Sequence, residues 1–164
     1  MTTTAVRPSR AVPLRDADLV DQWVDIAPHY GGPLRKADAH RVGVLRRIAA
    51  ARIRHYGLED LLDEVMLLVS ELVTNAVLHS RTSRIGLVMA VRDGFLHIDV
   101  IDGMPGYATL KKVSADAESG RGLALVEAMV KECGGNWGTS DAGRKTWCRL
   151  AVPQEPKGEP EESQ

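Results

Sequence analysis

The stretch Asp60–Ser80, DLLDEVMLLVSELVTNAVLHS, decides how the rest of the chain is read. At about 100° per residue it winds into an amphipathic helix. Leu61, Leu62, Val65, Met66, Val69, Leu72, Val73 and Ala76 gather on one side. Glu71, Asn75 and His79 form a polar seam on the other, because a step of four residues advances only about 40° around the axis. Leu67, Leu68 and Leu78 flank the seam, so that face is expected to be partly apolar. A carboxylate, a carboxamide and an imidazole so placed suit a metal ion and a reacting water. They equally suit an ordinary solvated face, and E-x-x-x-N-x-x-x-H does not by itself separate the two.

C-terminal to this helix the period changes to two. Ser83 to Arg92 alternates, with Ile85, Leu87, Met89 and Val91 on one face. Asp93-Gly94 is a hairpin turn, and Phe95 to Asp102 is the returning strand. Leu96, Ile98, Val100 and Asp102 share its core-facing side. A carboxylate aimed inward needs a hydrogen-bond partner, either its own turn or the amino group of a ligand. Gly103 to Gly120 is a long connection without clear periodicity, the kind that serves as a lid or binding loop. Gly120-Arg121-Gly122 then opens a helix to about Cys133, with Leu123, Val126, Met129 and Val130 apolar. A glycine-rich helix entry offers free N–H groups at the positive end of the dipole, which suits phosphates. Gly134-Gly135 caps that helix, Asn136 to Thr139 and Lys145 to Val152 read as strands, and Ser140 to Gly143 turns between them. Thr146, Cys148, Leu150 and Val152 share a face.

On the N-terminal side, Ala37 to Tyr56 reads as a helix ended by Gly57, with Arg41, Arg46, Arg47 and Arg54 on its outer face. That basic face fits phosphate, an acidic partner or plain solvent. WVDIAP, before Pro28, is a short edge strand, and residues 1–21 are expected to be disordered or loosely ordered. Residues 153–164 form a charged, proline-rich tail expected to be disordered, which leaves 22–152 as the single domain of the 164-residue chain. A net charge of −1 and 4% aromatic residues argue against direct nucleic-acid binding. No stretch is long and apolar enough to span a membrane, and no secretory leader is evident. The two cysteines, Cys133 and Cys148, are far apart and fit inert core thiols in a reducing cytoplasm. Gly138-x4-Gly143-Arg144-Lys145-Thr146 imitates a phosphate-binding loop, but it sits between two strands rather than before a helix.

In order, then, come a helix with Glu71, Asn75 and His79, a hairpin ending at Asp102, a long loop, a glycine-rich helix start and a strand carrying Thr146. This series resembles the GHKL ATP-binding fold of histidine kinases, gyrase-type ATPases and a class of heat-shock chaperones. ELVTNAVLHS, DGMPG, GRGLALVEAM and GRKTW look most like its bacterial branch of anti-sigma-factor serine/threonine kinases. The resemblance covers roughly Ala37 to Val152. It implies an α+β fold: a two-layer sandwich of the Bergerat type, whose mixed, mostly antiparallel sheet is covered on one face by helices.

The resemblance also implies roles. Asn75 would ligand Mg²⁺ bridging the phosphates of ATP, with His79 near them. Glu71 would be the catalytic group that orients or deprotonates the attacking hydroxyl or water. Asp102, followed by Gly103, would accept from the adenine amino group, helped by Thr146. Gly120, Arg121 and Gly122, with Leu123 behind them, would wrap the phosphates at the end of a mobile lid. The implied protein phosphorylates Ser or Thr of an antagonist with Mg·ATP and holds a sigma factor inactive, and a homodimer is compatible with the family pattern. The alternative is a nucleotide-gated interaction module without catalysis, motivated by Met104 where the family often has a small residue. A domain that binds no nucleotide is the third reading.

Overall fold

The computed structural model describes residues 15–102 and 117–154, with residues 117–121 described by their backbone alone. In chain order the elements are β1 (Ala17–Asp25), α1 (Lys36–His55), α2 (Leu62–His79), β2 (Arg84–Arg92), β3 (Phe95–Ile101), α3 (Ala117–Glu132), β4 (Asn136–Ser140) and β5 (Lys145–Ala151). A single turn of 3-10 helix, Glu59–Leu61, leads into α2. The strands form one sheet in the order β1-β2-β3-β5-β4. Expected as mixed and mostly antiparallel, it is antiparallel at all four of its described pairings. Among the described residues the fold is α+β, a five-stranded sheet with three helices on one side.

Period and packing agree in the centre. Ile85, Leu87, Met89 and Val91 of β2 and Leu96, Ile98 and Val100 of β3 are buried, and so are Val65, Leu68, Val69, Leu72, Val73 and Ala76 of α2. Burying such a side chain fully contributes about 1.5–3 kcal/mol each, which fixes how α2 is rolled on the sheet. Leu68, expected beside the polar seam, is in fact fully buried. Helices α1 and α3 end as their glycines suggest. Gly57 (φ 70°) and Gly134 (φ 64°) adopt the left-handed conformation, and the next N–H in each case turns back to Ile53 and Val130. Asp93 and Gly94 also have positive φ, making the tight turn between β2 and β3.

Two differences from the sequence reading stand at the N-terminal side. First, residues 17–21, expected in the loose N-terminal segment, belong to β1. The edge strand is nine residues long, and Leu19 and Val20 are both buried. A bulge between Asp18 and Val20 shifts the register there. It breaks the alternation by which a strand is recognised. The edge is blunted by α1: Arg52 Nε donates to the Leu19 carbonyl at 2.6 Å, and the Tyr56 hydroxyl to that of Asp18 at 3.3 Å. Second, the basic face of α1 is partly neutralised. Asp38, only 1% exposed, is held by Arg35 at 2.8 Å and Arg41 at 3.4 Å. Arg46 donates instead to the Ser70 hydroxyl of α2 at 3.3 Å.

The other face of the sheet carries no described helix. There Trp23 lies over Gly86, Lys145 pairs with Asp99 at 3.1 Å, and the Arg149 guanidinium stacks on Phe95 at 4.7 Å. Both cysteines are free; Cys133 is half-buried and Cys148 buried. Burial raises the Cys133 thiol, with Glu64 and Glu132 adding to it. Burial, and secondarily Asp99, pushes Cys148 up to about 12. Among the described residues no helix is long and apolar enough to cross a membrane.

Leu68→Ala is expected to destabilise the domain by about 3 kcal/mol through the cavity it leaves, read as a lower urea midpoint at unchanged slope. The Cys148 thiol predicts an alkaline limit. Its folded value of about 12 lies above the ordinary 9.0, so its stabilising contribution is whole below pH 9 and is lost as pH rises toward 12. Stability should fall by roughly 1.4 kcal/mol per pH unit in that window, and Cys148→Ala should remove that part of the slope.

Candidate functional site

The polar seam of α2 stands where the helical period puts it. Glu71 and Asn75 are half-buried and His79 is exposed. The buried ridge on the other side of the helix enforces this. A roll of one residue would carry Glu71 into the apolar interior, where an unpaired carboxylate is costly.

Opposite the seam lies α3, which packs on α2 and on β4 and β5. The helices meet closely at Gly122. A Cβ built there would overlap the Glu71 carboxylate, with the carboxyl carbon only 3.2 Å away. The sequence offers Gly122 as a phosphate cradle. In the structure its first evident role is to leave room for Glu71. Leu123, next to it, is buried in the core.

The start of α3 differs from the sequence reading. Gly120-Arg121-Gly122 is expected to open the helix, but α3 already runs from Ala117. Arg121 and Gly122 therefore lie beyond the first three helical residues. There a backbone N–H is committed to a carbonyl four residues back, and only the N–H groups before it are free. Binding phosphates through these amides requires the first turns of α3 to open.

The third wall is the end of the sheet. In the β3–β5 pairing Val100 faces Thr146 and Ile101 faces Lys145. The Asp102 N–H donates to the Arg144 carbonyl at 2.9 Å, which carries the ladder one step further. Strand alternation then puts Asp102 on the same side as Val100, and Thr146 shares that side. Val100 is buried against the helical layer, while Asp102 and Thr146 are half-buried. Because β2 begins just after α2 and pairs Gly86 with Ile101, the C-terminal half of α2 points to this end of the sheet. Asn75, His79, Asp102 and Thr146 thus belong to one end of the helical layer. Gly103 lies outside the described residues, as does the rest of the expected lid to 116.

The donors fit a hard cation held together with a nucleotide. Among the described residues no three His, Cys, Asp or Glu side chains stand together to hold a metal. The Asn75 carboxamide carries an oxygen of the kind Mg²⁺ takes, and it would be the residue to hold such an ion here. The false phosphate-loop motif from Gly138 to Thr146 runs from β4 through a turn at Asp141–Gly143 into β5, as a hairpin. A surface hollow lined by Lys36, Ala37, His40 and Arg41 lies on α1, apart from the α2–α3 gap.

A family model described as the histidine kinase-like ATPase domain matches residues 35–150. No curated protein matches significantly. The matched span runs from the residue before α1 into β5 and omits β1. It includes α2, the end of β3, α3 and Thr146, the parts that carry every candidate side chain above. With that match over well more than half of its length, the chain belongs to the histidine kinase-like ATPase domain family, a family of ATP-binding domains.

Proposed function

We propose that this domain binds Mg·ATP in the gap between α2, α3 and the end of β3 and β5, and transfers phosphoryl groups to Ser or Thr of an antagonist protein. In the same reading the protein also holds a sigma factor inactive until the antagonist engages it. The observation that carries the reading is the close approach of Glu71 to Gly122, which brings the seam of α2 face to face with the glycine motif of α3. The Glu-Asn-His helix, Asp102 and GRGLALVEAM, in this order and fold, support the kinase branch.

Bound Mg·ATP would supply the phosphoryl group and neutralise the charge that develops on it. The chain's own residues divide the remaining work. Asp102 accepts a hydrogen bond from the purine amino group, with Thr146 beside it. Asn75 gives the cation one oxygen, and His79 stands at the exposed end of the seam. The acceptor hydroxyl would form its new bond to phosphorus as its proton passes to Glu71 and the bond to the leaving ADP breaks. Positioning and charge carry this chemistry, so a carboxylate and a carboxamide one turn apart on a rigid helix are suitable equipment.

A second reading, nucleotide-gated binding without transfer, is favoured by the helical state of Gly120–Gly122. Amides already committed within α3 describe a domain that senses the nucleotide by reshaping that helix.

Wild type should give a saturable Mg·ATP isotherm by calorimetry, and Asp102→Ala should weaken it by at least about tenfold, the scale of one lost charge-assisted hydrogen bond. If both bind equally well, the purine site is misplaced. Glu71→Ala should leave Mg·ATP binding within about twofold yet reduce transfer of labelled phosphate to a cognate antagonist by about a hundredfold or more. Binding that survives in wild type without any transfer would select the second reading.

A further inference from the structure

Helix α1 has a charge pattern unlike that of the other two helices. It carries Lys36, Arg41, Arg46, Arg47, Arg52 and Arg54 against the single carboxylate of Asp38, in a chain whose net charge is −1. By contrast α2 has no lysine or arginine, and α3 sets Lys131 against Glu127 at 3.3 Å.

Three of these cations are engaged: Arg41 by Asp38, Arg46 by the Ser70 hydroxyl and Arg52 by the Leu19 carbonyl. Lys36, Arg47 and Arg54 have no acidic partner among the described residues, and all three are exposed, as is His40. Steps of four and seven residues keep Lys36, His40, Arg47 and Arg54 within about 40° of one line along the helix. Cations at a helix C-terminus complement its dipole, which accounts for Arg54. The dipole does not account for Arg47 in mid-helix, nor for Lys36 in the first turn, where positive charge is unfavourable. A helix face made for solvent alternates its signs, and this one does not.

An acidic stretch of the same chain starts within reach. Residues 155–164, EPKGEPEESQ, lie outside the described residues and carry Glu155, Glu159, Glu161 and Glu162 against Lys157. The chain leaves β5 beside the β2–β3 turn. There the Val152 N–H donates to the Gly94 carbonyl at 2.9 Å, and the Gln154 amide stands 3.7 Å from where a Cβ on Gly94 would be. The C-terminal end of α1 belongs to the same end of the sheet. Its Tyr56 hydroxyl donates to the Asp18 carbonyl, and the nearby Asp16 carboxylate accepts the Asp93 N–H at 3.0 Å. Crossing from β5 to β1 takes three strand spacings, about 14 Å, and Arg54 to Arg47 takes about 10 Å of helix. Ten extended residues cover about 33 Å, enough for Arg54 and Arg47 and too short for Lys36.

We propose that residues 155–164 lie back along the C-terminal half of α1, with Glu159, Glu161 and Glu162 against Arg47 and Arg54. Exposed ion pairs are weak one by one, but a tethered segment acts at a millimolar effective concentration, so a weak contact is populated. The chain thereby covers its own basic face, and an acidic partner has to displace the segment to reach it. The contact needs no nucleotide.

The test compares the full chain with one ending at Gln154, both isotope-labelled for NMR and free of nucleotide. At low salt, about 20 mM, amide shifts in 47–55 should differ between the two chains while those in 36–41 coincide. Salt at about 0.5 M should abolish the difference by screening. Glu159→Lys, Glu161→Lys and Glu162→Lys together should reproduce the spectrum of the shortened chain, as should Arg47→Glu with Arg54→Glu outside the mutated positions. Should the arginine pair fail to fold, the glutamate triple, which leaves the core sequence untouched, decides alone. A synthetic peptide of residues 155–164 should move the same amides of the shortened chain, and bind the full chain at least about threefold more weakly because its own segment competes. Coincident spectra of the two chains overturn the proposal. So does a difference that centres elsewhere, survives high salt, or persists in the glutamate triple.

Discussion

Everything in this domain depends on how α2 is rolled against the sheet. Its ridge of Val65, Leu68, Val69, Leu72, Val73 and Ala76 packs onto a sheet face that includes Leu87, Met89, Ile98 and Val100, all buried. That apolar contact is non-directional in origin, but once the side chains interlock it admits one rotation of the helix. The same rotation sets Glu71 against Gly122 and turns Asn75 and His79 toward the end of β3. Site and core are therefore two sides of one amphipathic helix, and neither can shift without the other.

A second constraint is close backbone approach. Gly122 lets Glu71 lie against α3, and at Gly135 a Cβ would run into the Arg149 carbonyl. The first brings α3 to α2, and the second brings its C-terminal end to β5. Between them they fix the orientation of the helix whose first turns carry the glycine motif. Because those turns are helical, the free amides that suit phosphate are not yet exposed at Arg121 and Gly122. In the proposed nucleotide site, phosphate binding through these amides would be coupled to a change of shape in α3.

Legibility follows the clarity of the period. The Glu71-Asn75-His79 seam, the β2–β3 hairpin and both glycine caps are local patterns, and each is found where its pattern puts it. The sheet-end pair of Asp102 and Thr146 is also legible, because strand alternation carries a side chain to a known face. The first residues of β1 are not, since the bulge at Asp18 puts Leu19 and Val20 both in the interior and removes the alternation. Arg41 reads in the sequence as part of an open basic face. Its spacing of three from Asp38 hints at a pair, but nothing local reveals that Asp38 is buried. The start of α3 comes earlier than its glycines suggest. Gly120 and Gly122 signal a boundary by propensity, and packing against α2 overrides a weak propensity.

By itself the sequence determined most of the elements, their order, and the seam of α2 and alternation of β2 and β3, because helix and strand periods are properties of the local chain. It also carried the motif series that points to the ATP-binding family. Only the tertiary structure decided that Glu71 meets Gly122, that Arg81 at positive φ lies over Tyr30, and that Arg41 pairs with a buried Asp38. Two of these contacts join residues some fifty positions apart in the chain. The third turns on the burial of Asp38, which comes from the packing of a whole helix rather than from its neighbours in sequence. Contacts of that kind depend on which elements the core brings together, and no local pattern records it.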